Sequence, residues 1–448
     1  MTGAASITPL DSQPLLVFLI ALLLLLLLAR LLGHLAERIG LPAVVGELTT
    51  GILLGPSLLA KVAPDLFDWL FRGEAAQMHL VDAVGQLGVL LLVGITGTHL
   101  DLGSLRRRRR AAMAVSLSGL LIPLGFGIAL AYVLPRSLMG DDQPNRWIFA
   151  LFLGVAMCVS AIPVIAKTLS DMRLLHRNVG QLTLAAGMVD DAVGWFLLSV
   201  VSAAATVGFS AGRIGLSVLY LIGFVAMAVL VGRPLVRKVM RMMARSEEAG
   251  PTVATTVLII IGGAVITHSL GMEPIFGAFV AGILVGAPGA ADQVKLAPLR
   301  TVVLAVLAPI FLATAGLHMD LTALADPTVA LGAVAVLTVA ILGKFAGAYL
   351  GARLSRLSRW EGLALGAGLN ARGVVEVIVA LTGLRLGVLN TASFTIIVLV
   401  AVVTSLMAPP MLRMAMKRVE LNEEERLRKI DYDTWNGVQP ERAGPGLS

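Results

Sequence analysis

Apolar residues form long, uninterrupted runs along this chain instead of alternating with polar ones. The run 22–28 consists of leucine alone, a pattern typical of a membrane-spanning helix and unlike a barrel strand. A helix needs about 20 predominantly apolar residues to cross a bilayer. Thirteen windows satisfy this requirement and are numbered here as spans 1 to 13: 14–32, 41–59, 80–99, 111–135, 147–170, 178–208, 214–232, 252–270, 274–290, 297–317, 327–351, 361–384 and 390–412. We therefore predict an all-α polytopic membrane protein with thirteen transmembrane helices, in one domain of residues 14–413.

The amino-acid composition agrees with a membrane location. Hydrophobic residues make up 57% of the 448 residues and charged residues 14%, whereas soluble domains average about 45–50% and 25%. Such a chain has too few charges to cover a water-facing surface, which excludes a soluble globular enzyme, and it is too apolar to be disordered. The single cysteine, Cys158, excludes disulfide scaffolds and cysteine-rich metal sites. We expect no enzymatic activity and no cofactor.

The distribution of basic residues predicts the orientation in the membrane. With segment 1–13 outside, 26 of the 35 Lys and Arg residues fall on the cytoplasmic side and 6 on the outer side, as the positive-inside rule requires. We interpret the run Arg106–Arg110 as a solvated cytoplasmic anchor and expect no nucleic acid partner despite the net charge of +7. The tail 414–448 is expected in the cytoplasm and is too short for a nucleotide-binding domain. We expect the protein to lie in the plasma membrane.

Two sequence matches indicate an internal repeat. Residues 46–55 of span 2 (GELTTGILLG) match residues 277–286 of span 9 (GAFVAGILVG). At the ends of spans 3 and 10, residues 97–102 (GTHLDL) match residues 316–321 (GLHMDL). Spans 2 and 9 are an odd number of crossings apart, so they run in opposite directions. Spans 2–6 and 9–13 are therefore predicted to be inverted repeats, which are common in secondary transporters.

The repeat also predicts two interrupted helices, because transporters of this kind break corresponding helices near the membrane midplane. In span 5, Pro163 follows Ser160 near the middle and lacks the N–H group that a continuous helix needs. In span 12, residues that favour unwinding cluster around the middle: Gly366, Gly368, Asn370 and Gly373. We expect both spans to be broken, and a simple kink in each is the alternative.

Two adjacent aspartates, Asp190 and Asp191, lie about a dozen residues inside span 6. A charge at this depth costs at least about 2.5–3.5 kcal/mol, so we expect a cation and proton site, with a satisfied ion pair as the structural alternative. Adjacent helical residues point about 100° apart and therefore need different partners. Lys344 in span 11 is the expected partner of Asp190, which would leave Asp191 facing a hydrated cavity. Protons and a small cation would then compete for one carboxylate.

Several other polar residues lie within or at the ends of the predicted spans. Arg372 and Glu376 stand four residues apart in span 12 and are interpreted as a pair that caps the break, with a gate or ion relay as the alternative. Glu47 in span 2 is a transport candidate because of its depth, with a helix–helix contact as the alternative. His99 and His318 are expected to make hydrogen bonds at helix ends rather than to sense pH.

The ordered set of motifs resembles the monovalent cation:proton antiporter family 2 over residues 14–413. The similar segments are 41–56, 160–167, 189–191, 343–344 and 368–376. The resemblance implies a homodimer in which spans 1–3 and 8–10 form a dimer or scaffold domain and span 7 is a linker. Spans 4–6 and 11–13 would form a mobile core around the broken spans 5 and 12, which would cross.

The resemblance also implies roles for individual residues. Asp191 matches the residue that carries the cation or proton, and Asp190 and Lys344 match the aspartate–lysine pair of electrogenic sodium/proton exchangers. Ser160 is counted with the candidate ion- or proton-binding residues. The core would expose Asp191 alternately to each side, like an elevator. The segment 370–373 is more similar to plant cation/proton exchangers associated with potassium, so the implied cation is Na⁺ or K⁺.

Four other functions remain as alternatives from sequence alone. A sodium-coupled symporter of organic anions can share inverted repeats and broken helices, but adjacent aspartates would repel an anion. A glutathione-gated, proton-linked potassium efflux system is disfavoured by the short tail. An intramembrane aspartic protease needs two carboxylates that converge to about 3 Å, whereas adjacent helical residues diverge. A channel would be distinguished by single-channel currents.

Overall fold

The structure, a computed structural model, describes residues 12–72, 75–98, 109–140, 145–174, 176–207, 211–287, 293–423 and 425–426. Helices dominate these residues: α1 Ser12–Arg38, α2 Ala43–Leu54, α3 Leu59–Val62, α4 Pro64–Phe67, α5 Ala75–Thr98, α6 Arg109–Val133, α7 Arg146–Cys158, α8 Ile162–Asp171, α9 Asn178–Val207, α10 Ala211–Met227, α11 Arg233–Met243, α12 Gly250–Ser269, α13 Pro274–Gly286, α14 Gln293–Val302, α15 Ala308–Leu317, α16 Pro327–Leu354, α17 Arg359–Leu369, α18 Val374–Arg385 and α19 Thr391–Met416. The predicted all-α class is confirmed. His99, most of the run Arg106–Arg110 and most of the tail lie outside the described residues.

Within the described residues, ten helical segments are long and apolar enough to cross a membrane, or eleven when the bent pair α17 and α18 counts as one span. Two of these segments run through π-helical turns, Ala228–Gly232 between α10 and α11 and Val303–Leu307 between α14 and α15. The predicted spans 5 and 9 correspond to the shorter apolar helices α7 and α13. The count of thirteen crossings therefore stays a prediction.

Two sets of helices pack chiefly among themselves. One set consists of α1, α2, α5, α12, α13 and α15, and the other of α6–α9 and α16–α19. A smaller contact zone, in which α13 meets α9 and α15 meets α18, joins the two sets. The site described below lies in the second set and faces this contact zone.

The predicted repeats interlock through equivalent glycine contacts. In the first half, α2 approaches α15 so closely that a Cβ atom on Gly51 would lie 2.0 Å from the carbonyl oxygen of Ala313. In the second half, α13 approaches α5, and a Cβ atom on Gly282 would lie 2.0 Å from the carbonyl oxygen of Gly94. Only glycine permits such backbone contact. The matched sequence segments of spans 2 and 9 therefore make matched contacts with spans 10 and 3.

Candidate functional site

Both predicted helix interruptions are present. Span 5 divides into α7 and α8, with residues 159–161 between them in non-helical conformation. Pro163 is the second residue of α8, a position where its missing N–H group removes no helical hydrogen bond. Span 12 divides into α17 and α18, whose axes are bent by 50°.

One detail of the span 12 prediction is wrong. Gly366 and Gly368 lie in α17 and do not unwind it. A Cβ atom on Gly366 would lie 2.7 Å from the ring of Phe345, and one on Gly368 would lie 2.7 Å from the side chain of Thr183. These glycines allow close packing, and the interruption itself begins only after Leu369.

The two interruptions cross and satisfy each other's backbone groups. The N–H of Ala161 donates to the carbonyl of Ala371 at 3.3 Å, and the hydroxyl of Ser160 donates to the carbonyl of Leu369 at 2.9 Å. The hydroxyl of Ser405 donates to the carbonyl of Arg372. These bonds replace the helical bonds that both spans lose at the break, which backbone at membrane depth requires.

Arg372 and Glu376 belong to this capping arrangement. The guanidinium of Arg372 donates to the carbonyls of Ala156 at 2.9 Å and Met157 at 2.6 Å, near the end of α7. It also pairs with Glu376 at 2.9 Å, and both side chains are buried. A cation on the last carbonyls of a helix complements the helix dipole. These contacts favour the structural interpretation of the pair over a gate.

Asp190 is surrounded by donors. Lys344 Nζ lies 2.8 Å from Asp190 Oδ2, and the hydroxyl of Ser116 donates to Oδ1 at 2.7 Å. The hydroxyl of Ser160 lies 3.0 Å from Oδ2 and shares its single proton between this oxygen and the carbonyl of Leu369. Lys344 also donates to the carbonyls of Gly119 at 3.1 Å and Cys158 at 2.7 Å. The ammonium group thus has three acceptors, its full complement. The partner expected for Asp190 from sequence is in place, and Ser160 contacts Asp190 and not Asp191.

Asp191 has the opposite environment. Its side chain is buried, yet neither carboxylate oxygen has a hydrogen-bond partner among the described residues. The backbone N–H of Ile162, at the start of α8, stabilises its negative charge, and the neighbouring Asp190 opposes it as a like charge. Helix N-termini favour anions. A buried carboxylate that lacks partners must be matched by a bound proton, cation or water.

A cavity of about 160 Å³ leads to Asp191. Its other polar lining residues include Glu47, which is buried, and Lys167, whose ammonium forms an ion pair with Glu37 of α1. The first residues of α2, Ala43 and Val44, also line it. The cavity therefore extends from Asp191 toward the side that the charge distribution predicts to be cytoplasmic.

A second cavity, of about 530 Å³, lies toward the predicted outer side. Its lining includes Ser202, Glu273, Thr382 and Arg385. Trp195 stands one helical turn beyond Asp191 on α9, is 2% exposed and lines only the first of these two cavities. Of these two cavities, Asp191 lines only the first.

Two residues of this site, Ser116 and Trp195, were not predicted from the sequence. Ser116 binds Asp190, but span 4 also contains Ser118, and the sequence does not indicate which of the two serines faces the site. Trp195 follows Asp191 by four residues, a spacing that places both on one helix face. Both atoms of the Asn370 side-chain amide are buried without a partner among the described residues. Asn370 therefore remains a candidate for the site.

The remaining sequence candidates have ordinary packing roles. Cys158 is fully buried, and its backbone carbonyl accepts from Lys344. The ring of His318 lies 3.0 Å from the carbonyl of Thr314 through Nδ1. This contact is the helix-end hydrogen bond that was expected.

This combination of crossed helix breaks and buried acidic and basic side chains belongs to a known class of transporter. The family described as "Sodium/hydrogen exchanger, transmembrane" matches residues 21–418. The chain therefore belongs to this family of monovalent cation:proton antiporters, a family of multi-pass membrane transporters and not of catalytic enzymes.

Individual relatives and one solved structure agree with this assignment. The chain is 31% identical to the Na(+)/H(+) antiporter NhaS4 of Synechocystis over 90% of this chain and 97% of that protein. It is 29% identical to the Na(+)/H(+)-K(+) antiporter GerN of Bacillus cereus over 88% of this chain and 95% of that protein. The sodium proton antiporter MjNhaP1 of Methanocaldococcus jannaschii has the same fold, with a TM-score of 0.66 and 18% identity over 90% of this chain and 99% of that one.

The chain spans about half the length of its plant relatives. Cation/H(+) antiporter 17 of Arabidopsis thaliana is 29% identical over 94% of this chain but only 50% of that protein. The similarity to the plant proteins thus covers the membrane domain described above.

Proposed function

We propose that this protein exchanges Na⁺ or K⁺ for protons across the plasma membrane, with Asp191 binding either the cation or the proton. The observation that carries the proposal is the pair of unpartnered carboxylate oxygens of Asp191 beside a cavity of about 160 Å³. Relatives that share 27–31% identity are named as Na(+)/H(+) and K(+)/H(+) antiporters. This support favours exchange of a monovalent cation and leaves the choice between Na⁺ and K⁺ to the assay.

Competition at one carboxylate couples the two fluxes. A buried aspartate that is ionised attracts a cation, and a buried aspartate that is protonated does not. Asp190 is held by Lys344, Ser116 and Ser160. This cluster places fixed charges and hydrogen-bond donors beside Asp191. Asp191 therefore holds either the cation or the proton at one time, but not both.

The two sets of helices support an elevator-type movement. We assign α1, α2, α5 and α12–α15 to the scaffold and α6–α9 and α16–α19 to the moving core, with α10 and α11 as the linker. Few contacts join the sets, and the ion pair between Lys167 of α8 and Glu37 of α1 is one of them. Movement of the core would close the first cavity and open the second toward Asp191. A homodimer held together by the scaffold, with the N-terminus outside and the C-terminus in the cytoplasm, completes the proposal.

Proteoliposomes with a pH dye inside and an imposed proton gradient test the exchange. Addition of NaCl or KCl to the wild type is expected to dissipate the gradient faster than in empty vesicles. Asp191→Asn is expected to abolish this response, because an amide cannot bind a proton and cation in turn. The matched control is Asp326→Asn, since Asp326 is an exposed N-cap residue and asparagine caps equally well.

Two results would contradict the proposal. A wild-type protein that responds to neither salt does not catalyse this exchange under the gradient applied. Wild-type rates in Asp191→Asn would show that another residue carries the ion. Repeating the assay at several salt concentrations and with an imposed voltage gives the cation preference and shows whether net charge moves.

A further inference from the structure

The basic residues of α11 and of the turn that follows it lie along one exposed stripe. Arg233, Arg237, Arg241 and Arg245 recur every fourth residue, and Lys238 lies beside them. Residues four apart are neighbours on a helix surface. All five side chains are exposed, and together they line an open groove of about 630 Å³.

The groove is held in place from behind. Val236 and Met240, on the opposite face of α11, are buried against α13 and α14. Lys295 Nζ donates to the carbonyls of Ala244 at 2.8 Å and Ser246 at 2.6 Å. These bonds satisfy carbonyl groups at the end of the helix. The stripe is therefore preformed and need not be ordered by its ligand.

The stripe begins where a lipid-facing surface ends. Upstream of α11, apolar side chains are strongly exposed, with Ile222 56%, Leu230 74% and Val231 57% exposed. The first arginine, Arg233, follows Val231 by two residues. The helix α11, from Arg233 to Met243, rises about 15 Å. The basic residues thus occupy the depth at which hydrocarbon gives way to lipid headgroups, on the predicted cytoplasmic side.

Four of the five basic side chains are not neutralised by a carboxylate of the described residues. Over the part of the chain that the structure describes, Arg233, Arg237, Lys238 and Arg245 make no ion pair with a carboxylate. The chain does pair other basic residues, such as Arg177 with Glu425 at 3.3 Å. Unpaired cations in a groove at the headgroup level attract anionic lipids, and clusters of four to eight such residues beside a span are a known lipid-recognition pattern.

We propose that this groove is a binding site for the phosphate headgroups of anionic phospholipids in the cytoplasmic leaflet. The acyl chains lie along the exposed apolar surface of α10 and the following π-helical turn. This site is separate from the cavity of Asp191 and does not depend on the proposed exchange. It differs from a general topological anchor because it requires charges at these positions, and not only net charge on this side of the membrane.

Native mass spectrometry of the full-length protein in neutral detergent, titrated with phosphatidylglycerol or phosphatidylcholine, measures the binding. We expect the wild type to bind phosphatidylglycerol more tightly. The variant Arg237→Gln/Lys238→Gln/Arg245→Gln should bind it about a hundredfold more weakly, at roughly fivefold per charge. Its phosphatidylcholine binding should not change. Should the triple variant fail to insert, Lys238→Gln alone is expected to weaken phosphatidylglycerol binding about fivefold.

A control variant removes the same number of predicted cytoplasmic charges elsewhere. Arg356→Gln/Arg359→Gln/Lys417→Gln alters exposed residues outside the groove and should retain wild-type affinity. Equal affinity of the groove variant and the wild type for phosphatidylglycerol would overturn the proposal, as would an equal loss in the control variant. Glycerol phosphate is the third probe. Binding of glycerol phosphate as tight as that of the lipid would assign the groove to soluble anions and also overturn the proposal.

Discussion

The buried ion pair between Lys344 and Asp190 gives the sharpest prediction about stability. Lys344→Met keeps most of the side-chain volume but removes the charge. Asp190 would keep its hydroxyl donors, Ser116 and Ser160, but would lose the ammonium 2.8 Å away. Removing one partner of a buried pair costs about 3–5 kcal/mol, because the remaining charge is uncompensated or must be neutralised.

The size of the effect can be converted to a melting temperature. Unfolding entropy is about 2.1 cal/mol/K per residue, so a cooperative transition of all 448 residues carries about 0.9 kcal/mol/K. A loss of about 4 kcal/mol then lowers the melting temperature by roughly 4 °C, and by more if only the core set of helices unfolds. Tryptophan fluorescence during heating in detergent at pH 7 measures this shift.

The double variant Asp190→Asn/Lys344→Met separates the pair from the packing. With both charges removed, we expect most of the lost stability to return, because no uncompensated charge remains. The matched control is Lys167→Met. The ammonium of Lys167 also forms an ion pair, but the Lys167 side chain is 47% exposed. Exposed pairs contribute about 0–1 kcal/mol. A melting temperature of Lys344→Met within 1 °C of the wild type would refute the reasoning. A double variant whose loss of stability equals the sum of the losses in Lys344→Met and Asp190→Asn would also refute it.

Two further predictions concern the scaffold and the cytoplasmic end of α9. Gly282→Ala is expected to lower the melting temperature or to prevent dense packing of α13 against α5, because the new methyl group would lie 2.0 Å from a backbone oxygen. Gly262→Ala is the control, and it should leave the melting temperature unchanged in the same heating assay because Gly262 has open space around it. Burial by itself raises the pKa of Glu425, but the N–H groups of Asn178 and Asn422 and the charge of Arg177 outweigh it and hold the pKa below its ordinary value of 4.5. The stabilisation from Glu425 is therefore present above about pH 4.5 and disappears as the pH falls through the lower folded-state pKa, so wild type and Glu425→Gln should differ in melting temperature at pH 7 and converge in acid. A constant difference across this range, or none at pH 7, would contradict the contact.

The sequence by itself determined the multi-pass membrane class, the all-helical fold and the two interrupted spans. These features follow from local rules, since a bilayer requires about 20 apolar residues per crossing and Pro163 cannot continue a helix from upstream. The buried charges were also visible, because Asp190, Asp191 and Lys344 are rare residue types within apolar spans. The ion pair between Asp190 and Lys344 was predictable, because Lys344 is a basic residue deep within a predicted span.

Only the tertiary structure decided which further groups hold Asp190 and Lys344 in place. Ser116 lies 74 residues from Asp190 in sequence, and the carbonyls of Gly119 and Cys158 that hold Lys344 carry no sequence signal at all. The same holds for Gly366 and Gly368, where the reason for glycine is a neighbouring side chain and not the backbone conformation. Hydropathy reports the transfer of each residue into lipid, whereas hydrogen-bond partners depend on where distant helices meet. The crossing of the two broken helices brings the side-chain donors Ser116, Ser160 and Lys344 to Asp190, whereas both carboxylate oxygens of Asp191 lack a side-chain partner among the described residues.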